Sequence, residues 1–280
     1  MNMSRPLITM LLLPGLLLSG CALEENIRRI DLGEMMRVGQ QAFAEVSQEQ
    51  EVEIGTEAAA VLLGAAPLHK NQNLQRYVNH VGLWIAQQSE RPELPWKFAV
   101  IDTDSVNAFA APGGHVFITS GLLQHLQSEA ELAGVLGHEI AHVLQKHHLK
   151  AVQQGARLDL AQTLVSSQLD AERQAQLQRI SGSFRELYAR GLDRDDEYEA
   201  DRMGVILAAR AGYDPYGLPA VLQALHALNA QDSSLALLFK THPAPAQRLA
   251  RLETFYPELD RYAGQPTIAT RFRQQVRVLN

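Results

Sequence analysis

The chain has 280 residues, 46% of them apolar and 20% charged, which is enough to bury one large core or two small ones and too apolar for a disordered or collagen-like chain. Lys and Arg total 25 against 31 acidic residues, a formal charge of −6, so no nucleic-acid partner is expected. A single cysteine excludes an internal disulfide framework and any cysteine-rich zinc site, so a metal would have to be held by His, Asp or Glu.

The N-terminus reads as an address. Behind Arg5, the stretch from Leu7 to Leu18 is apolar except for Thr9, Pro14 and Gly15. It is shorter than the about 20 residues a membrane span needs, and it suits the apolar part of a secretory signal. Leu18-Ser19-Gly20-Cys21 follows and resembles the lipobox of bacterial lipoproteins, in which the signal is cut before a cysteine that then receives lipid. Residues 1–20 are therefore expected to be a cleaved leader and Cys21 a lipidation site, with 21–45 a tether running into a first helix. Ala22 lacks the acid associated with inner-membrane retention, so the resemblance points to the outer membrane of a double-membrane bacterium, facing the periplasm.

Helices are predicted over 48–64 and 72–88, the second with Leu74, Tyr77, Val78, Val81, Trp84 and Ile85 at helical spacing. Arg91-Pro92-Glu93-Leu94-Pro95 breaks the pattern, and 97–101 and 115–119 read as strands on either side of a Pro112-Gly113-Gly114 turn. From about 121 the pattern is helical, with loops at 212–215 and around 231–245. The class is α+β, mostly helical, with a small β-sheet.

Residues 138–142 read His-Glu-Ile-Ala-His. Ser128 with Glu131 forms a capping-box pattern that starts a helix here, and Leu132, Val135, Leu136, Val143 and Leu144 supply its core-facing stripe. On that helix His138 and His142 lie one turn apart on one face, so both imidazoles can reach the same ion. Glu139 is rotated by about 100° and can act as a base without being a ligand.

Two imidazoles need a third protein ligand to make a zinc site. His148 stands where the extended HExxHxxGxxH pattern would put one, but the turning position holds Gln145 in place of glycine. If the helix continues, His148 lies about 240° around and roughly 9 Å along from His142, pointing away. His147 and His148 are then expected to be exposed near a helix end. The other source is the acidic run Asp193 to Asp201, where Glu197 and Asp201 share a helix face. One of these carboxylates can bind the ion while the other accepts a hydrogen bond from a ligating imidazole.

With its downstream Glu-x-x-Ala-Asp, this pattern resembles the zinc metallopeptidase family of the CAAX prenyl proteases and the bacterial heat-shock membrane protease. Within it, the layout is most similar to the periplasmic branch of beta-barrel assembly-enhancing proteases. The resemblance covers about 46–255 and includes Asn107-Ala108-Phe109-Ala110, Pro112-Gly113-Gly114, Gly137 to Val143, Glu197 to Gly204, and Thr241-His242-Pro243 with Arg248. It implies a zincin-like (gluzincin) domain holding one Zn2+ on His138, His142 and Glu197, with Glu139 as catalytic base and Asp201 behind a ligand. Residues 256–280 are expected to be a C-terminal tail, and neither the tetratricopeptide part of the periplasmic members nor the spans of the membrane members is expected.

The resemblance also implies a loop at the metal carrying His242, either as a catalytic stabiliser of the tetrahedral oxyanion or as a fourth zinc ligand that keeps the enzyme latent. Asn107, Gly113 and Gly114 are expected to contact substrate, and the strand at 115–119 to pair with an extended peptide by edge addition. The expected function is a lipid-anchored zinc endopeptidase acting on unfolded or misassembled envelope polypeptides, alongside the outer-membrane assembly machinery. The alternative is a latent metal-holding assembly factor that cuts little. His69, His80, His115, His125 and His226 are read as surface or structural residues, and Arg271, Arg273 and Arg277 as a solvated basic tail.

Overall fold

A computed structural model describes residues 46–154, 186–228 and 232–279; the expected leader, the tether and Cys21 lie outside the described residues. The first helix, α1 (Gln48–Ala65), opens on a full capping box. The Ser47 hydroxyl accepts from the Gln50 N–H at 3.3 Å, and the Gln50 side chain accepts from the Ser47 N–H at 3.0 Å. Helix α2 (Gln72–Ala86) is capped by Asn71 and buries Leu74, Val78, Val81 and Ile85 of the predicted stripe, with Tyr77 partly buried, while Trp84 is 55% exposed.

Three strands follow: β1 (Lys97–Ile101), β2 (Ala108–Ala111) and β3 (His115–Thr119). Their order is β1-β3-β2, with β1 parallel and β2 antiparallel to β3. The strand predicted to take a peptide at its edge is thus the central one, buried throughout and paired on both sides. Edge addition at 115–119 is excluded; β1 and β2 are the outer strands, and β2 is the one whose residues Ala108 and Phe109 line the cleft beside Glu139 and His142. Its alanine-rich sequence has little strand propensity, and only pairing with β3 makes it a strand.

The Pro112-Gly113-Gly114 turn packs inward. Gly113 has φ +71, a side chain there would meet Val52 at 2.6 Å, and its N–H bonds the Glu51 carboxylate at 3.2 Å. Gly114 lies against Trp96. Gly113 lets the turn seat on α1 and Gly114 lets it pack against Trp96, and neither glycine lines the cleft at Glu139 and His142.

After α3 (Ser120–His125) comes the helix bearing the histidine pair, α4 (Glu129–Leu144). Ser128 caps it by accepting from the Glu131 N–H, but the Glu131 carboxylate reaches back to the Gln127 N–H at 2.7 Å, one residue short of a full box. Leu132, Leu136 and Ile140 are fully buried in the main core, where truncation to alanine typically costs about 2–5 kcal/mol. Helix α5 (Arg194–Arg210) lies directly against α4. Gly137 and Gly204 allow this approach: a side-chain carbon on Gly204 would stand 2.7 Å from the His138 backbone nitrogen.

Further helices are α6 (Gly217–Ala227), α7 (Ala236–Thr241), α8 (Pro245–Glu253), α9 (Tyr256–Leu259) and α10 (Ala269–Val276). Phe272 of α10 is fully buried in the main core, and Arg271 closes over the buried Glu129 carboxylate, so this part of the expected tail belongs to the body of the fold. The Tyr77 and Tyr213 hydroxyls donate to the same carboxylate, each at 2.8 Å. Among the described residues no helix is long and apolar enough to cross a membrane.

Candidate active site

His138 and His142 project from one face of α4 with their Nε2 atoms 3.1 Å apart. Helix α5 brings Glu197 opposite them: its carboxylate oxygens stand 3.7 Å from His138 Nε2 and 3.6 Å from His142 Nε2. These separations are too long for hydrogen bonds, and near the about 3.3–3.4 Å expected between ligands of a tetrahedral ion bound at about 2.0–2.1 Å. Glu197 Oε2 is buried without a hydrogen-bond partner among the described residues. Such an atom is costly unless a cation satisfies it, so the donors fit a divalent metal of the N/O-binding kind. Burial holds the Glu197 carboxyl well above its usual range and drives both imidazoles down, so the rings stay neutral with lone pairs available.

The tautomer of His138 is set from behind. Its Nδ1 lies 3.0 Å from Asp201 Oδ1, an acceptor, and 3.2 Å from Arg248 Nη2, which is already committed to Asp201; the nearer carboxylate accepts from Nδ1, and Nε2 is left to face the centre. Asp201 is gripped by Arg248 of α8 through bonds of 2.9 and 2.5 Å. Burial opposes ionisation of Asp201, but the guanidinium outweighs it and holds the carboxyl below the carboxylate range. Arg248 was part of the recognisable pattern, yet nothing in the local sequence tied it to an acid 47 residues earlier.

Glu139 is buried beside the pair, its carboxyl pushed up to about 8 by burial. It lines a cleft with His142, Glu197, His242, Phe109 and Tyr188. Asn107 is fully buried where β2 begins, bonded through its backbone to Thr119, while its neighbours Ala108 and Phe109 line the cleft. The Asn107 Nδ2 is buried with no hydrogen-bond partner among the described residues.

His242 follows α7, with Nε2 3.9 Å from Glu197 Oε2 and able to join a ligand group with His138 and Glu139. The Thr241 hydroxyl donates to the Leu237 carbonyl at 2.9 Å, so Thr241 Oγ1, 2.9 Å from His242 Nδ1, is the acceptor of that second bond. The proton of His242 then sits on Nδ1 and a lone pair faces the cleft.

His147 and His148 depart from expectation. They are buried, because α4 stops at Leu144 and Lys146 takes a left-handed turn (φ 56) that folds the next helical segment, 147–154, back on the site. Lys146 does here what glycine does in the extended zinc pattern, and a non-glycine residue at positive φ leaves no sequence signal. His148 lines the cleft against Tyr188 without joining a ligand group, and His147 Nδ1 lies 2.9 Å from His142 Nδ1. Among the described residues, His69, His80, His115, His125 and His226 enter no metal-competent group.

A helix-borne imidazole pair facing a carboxylate from the next helix, with a buried acid alongside and an edge strand at the cleft, defines a metallopeptidase. Comparison with known proteins carries this further. The pattern described as peptidase family M48 matches residues 69–255. The beta-barrel assembly-enhancing protease of Escherichia coli (strain K12) is 32% identical over 219 residues, 76% of this chain and 45% of that one. Its namesake in Yersinia pestis is 31% identical over 253 residues, 87% and 51% of the two chains. Mitochondrial metalloendopeptidase OMA1 of Schizosaccharomyces pombe is 30% identical over 182 residues, 65% and 53%. The chain belongs to peptidase family M48 and is a metalloendopeptidase by class. It spans about half the length of the curated relatives it matches.

Proposed function

We propose that the chain is a zinc endopeptidase of the gluzincin kind, anchored by lipid on Cys21 at the outer membrane of the bacterial envelope, where it cuts misfolded or misassembled envelope polypeptides. The observation that carries the enzymatic part is the buried Glu197 carboxylate, its Oε2 without a hydrogen-bond partner among the described residues, facing the Nε2 atoms of His138 and His142, with these three residues as the ligands. Zinc, when bound, supplies a Lewis acid for the scissile carbonyl and lowers the pKa of water.

Glu139 accepts the proton of the attacking water and passes it to the leaving amine. Its raised pKa suits a base that must hold and release a proton near neutrality. Asp201, held by Arg248, keeps His138 in the tautomer that presents Nε2. The edge of β2 supplies main-chain groups beside the cleft, with Phe109 as an apolar contact. Recognition through main chain favours extended, unfolded segments over folded ones. The lipobox-like Leu18-Ser19-Gly20-Cys21 and the name shared by the bacterial relatives support the envelope setting and clients bound for outer-membrane assembly.

The hydrogen bonding of His242 favours latency. With its proton committed to Thr241, the ring offers a lone pair toward the cleft and no donor for an oxyanion. In this state it acts as a fourth ligand that displaces substrate, and the protein serves as an assembly factor that cuts only when the loop bearing His242 moves.

Zinc content and casein cleavage, compared for wild type, Glu139→Gln and Glu197→Ala, test the proposal. Glu139→Gln keeps zinc and loses about 10²-fold or more in rate; Glu197→Ala loses both. Undiminished cleavage by Glu139→Gln would refute the assigned chemistry. Labelling of Cys21 by a radioactive fatty acid in bacteria, lost in Cys21→Ser, tests the anchor.

A further inference from the structure

Both imidazole ligands of the proposed centre must present Nε2, yet they are backed differently. His138 has a carboxylate, Asp201, on its Nδ1; His142 has another imidazole, with His147 Nδ1 at 2.9 Å. Two ring nitrogens at that distance share one proton. If His142 offers its Nε2 lone pair as a neutral ring, its proton is on Nδ1, and His147 Nδ1 accepts it. The proton of His147 is then on Nε2, where Glu199 Oε2 at 3.4 Å and Asp196 Oδ1 at 3.5 Å receive it. The left-handed Lys146 places His147 here, and α5 contributes both Glu197 on its inner face and these two half-exposed acids further out.

We infer that His147 is a positioning residue of the metal centre: it fixes the tautomer and ring orientation of His142, while Asp196 and Glu199 fix its own. The inference rests on the reading of His138, His142 and Glu197 as ligands. It also settles how to regard His147, Asp196 and Glu199, whose donor atoms approach closely enough to hold an ion themselves. An ion on His147 Nε2 would put the shared proton on His147 Nδ1, donated to His142 Nδ1, and the proton of His142 onto its own Nε2. His142 would then have no lone pair for the catalytic ion. With neutral rings the two positions exclude one another, and the buried centre, where Glu197 is otherwise orphaned, is the one that fills.

Zinc affinity of the full chain, measured by competition with a chelator, tests this, together with the absorption spectrum of the Co2+ form and the melting temperature of the metal-free form. His147→Leu is expected to weaken zinc binding by about 10- to 100-fold and shift the Co2+ bands. His147→Asn, whose Oδ1 stands where Nδ1 did, restores binding close to wild type. The double variant Asp196→Ala/Glu199→Ala loses affinity to a smaller extent, since His147 keeps its ring but not its preferred tautomer.

Wild-type affinity in His147→Leu overturns the inference, as does an asparagine variant no better than leucine. Should the leucine variant fail to fold, unchanged affinity in the double surface variant overturns it. Two ions per wild-type chain, one lost in the double variant, overturn it as well. Wild-type protein that takes up no metal refutes the ligand reading itself, and the inference with it.

Discussion

Asp201 and Arg248 form a buried, doubly hydrogen-bonded ion pair at 2.9 and 2.5 Å, and the same aspartate stands 3.0 Å from His138 Nδ1. Helix α8 is thereby tied to α5 and to the proposed metal ligand His138 on α4. Neither charge is tolerable alone at this depth, since each is almost fully removed from water. The pair couples the integrity of the fold to the tautomer of the metal site.

Removing one partner should therefore injure both. Arg248→Met is expected to destabilise the protein by about 3–5 kcal/mol and to weaken zinc binding, because the stranded Asp201 takes up a proton and stops accepting from His138. Urea unfolding and chelator competition read the two effects. A variant with full stability and full affinity would show that Asp201 acts on His138 without its arginine.

The contact of α4 with α5 leaves no room for a methyl group at Gly204, because the neighbour is the backbone of His138. Gly204→Ala should force the helices apart and cost about 1–3 kcal/mol, lowering the melting temperature by roughly 2–4 °C per kcal/mol. Since Glu197 and Asp201 ride on the displaced helix, metal affinity should fall too. An alanine variant that melts with the wild type would mean that the helices slide freely.

Tyr77 and Tyr213 both donate to Glu129 at the start of α4. Burial and the Glu129 charge raise both hydroxyls above the ordinary value of 10. A folded-state pKa raised above the unfolded one gives stability that is complete below pH 10 and is lost as pH rises beyond it. Unfolding free energy should thus decline above pH 10, and less steeply in Tyr77→Phe, which has one such proton fewer. Parallel alkaline profiles for the two proteins would contradict this.

His242→Ala removes the proposed latent ligand. Casein cleavage should rise several-fold, by the inverse of the fraction of molecules whose loop is open. A fall in rate with zinc retained would instead make His242 the stabiliser of the developing oxyanion.

The pattern around His138, Glu139 and His142 is legible because helical geometry alone puts residues four apart on one face; no distant contact is needed to interpret it. The buried stripe of α2 and the strands 97–101 and 115–119 are legible for the same reason, since their periodicity is local. The need of the histidine pair for a third ligand points to the acidic helix downstream, and only the family resemblance singles out Glu197 over Asp201 there. Arg248 and Glu129 carried no local signal, as each acquires its role from residues far away in the chain.

Sequence by itself determined the chemistry on offer: an imidazole pair with an adjacent acid, no thiols in the body of the chain, and a mostly helical frame to carry them. Tertiary structure decided which strand is central in the sheet, why Gly113 and Gly114 face inward, and that His147 and His148 turn back on the site. The reason is physical: strand order depends on pairing between separated segments, and the course of the chain after α4 depends on one positive φ at Lys146. Packing sustains that conformation where residue type alone would not.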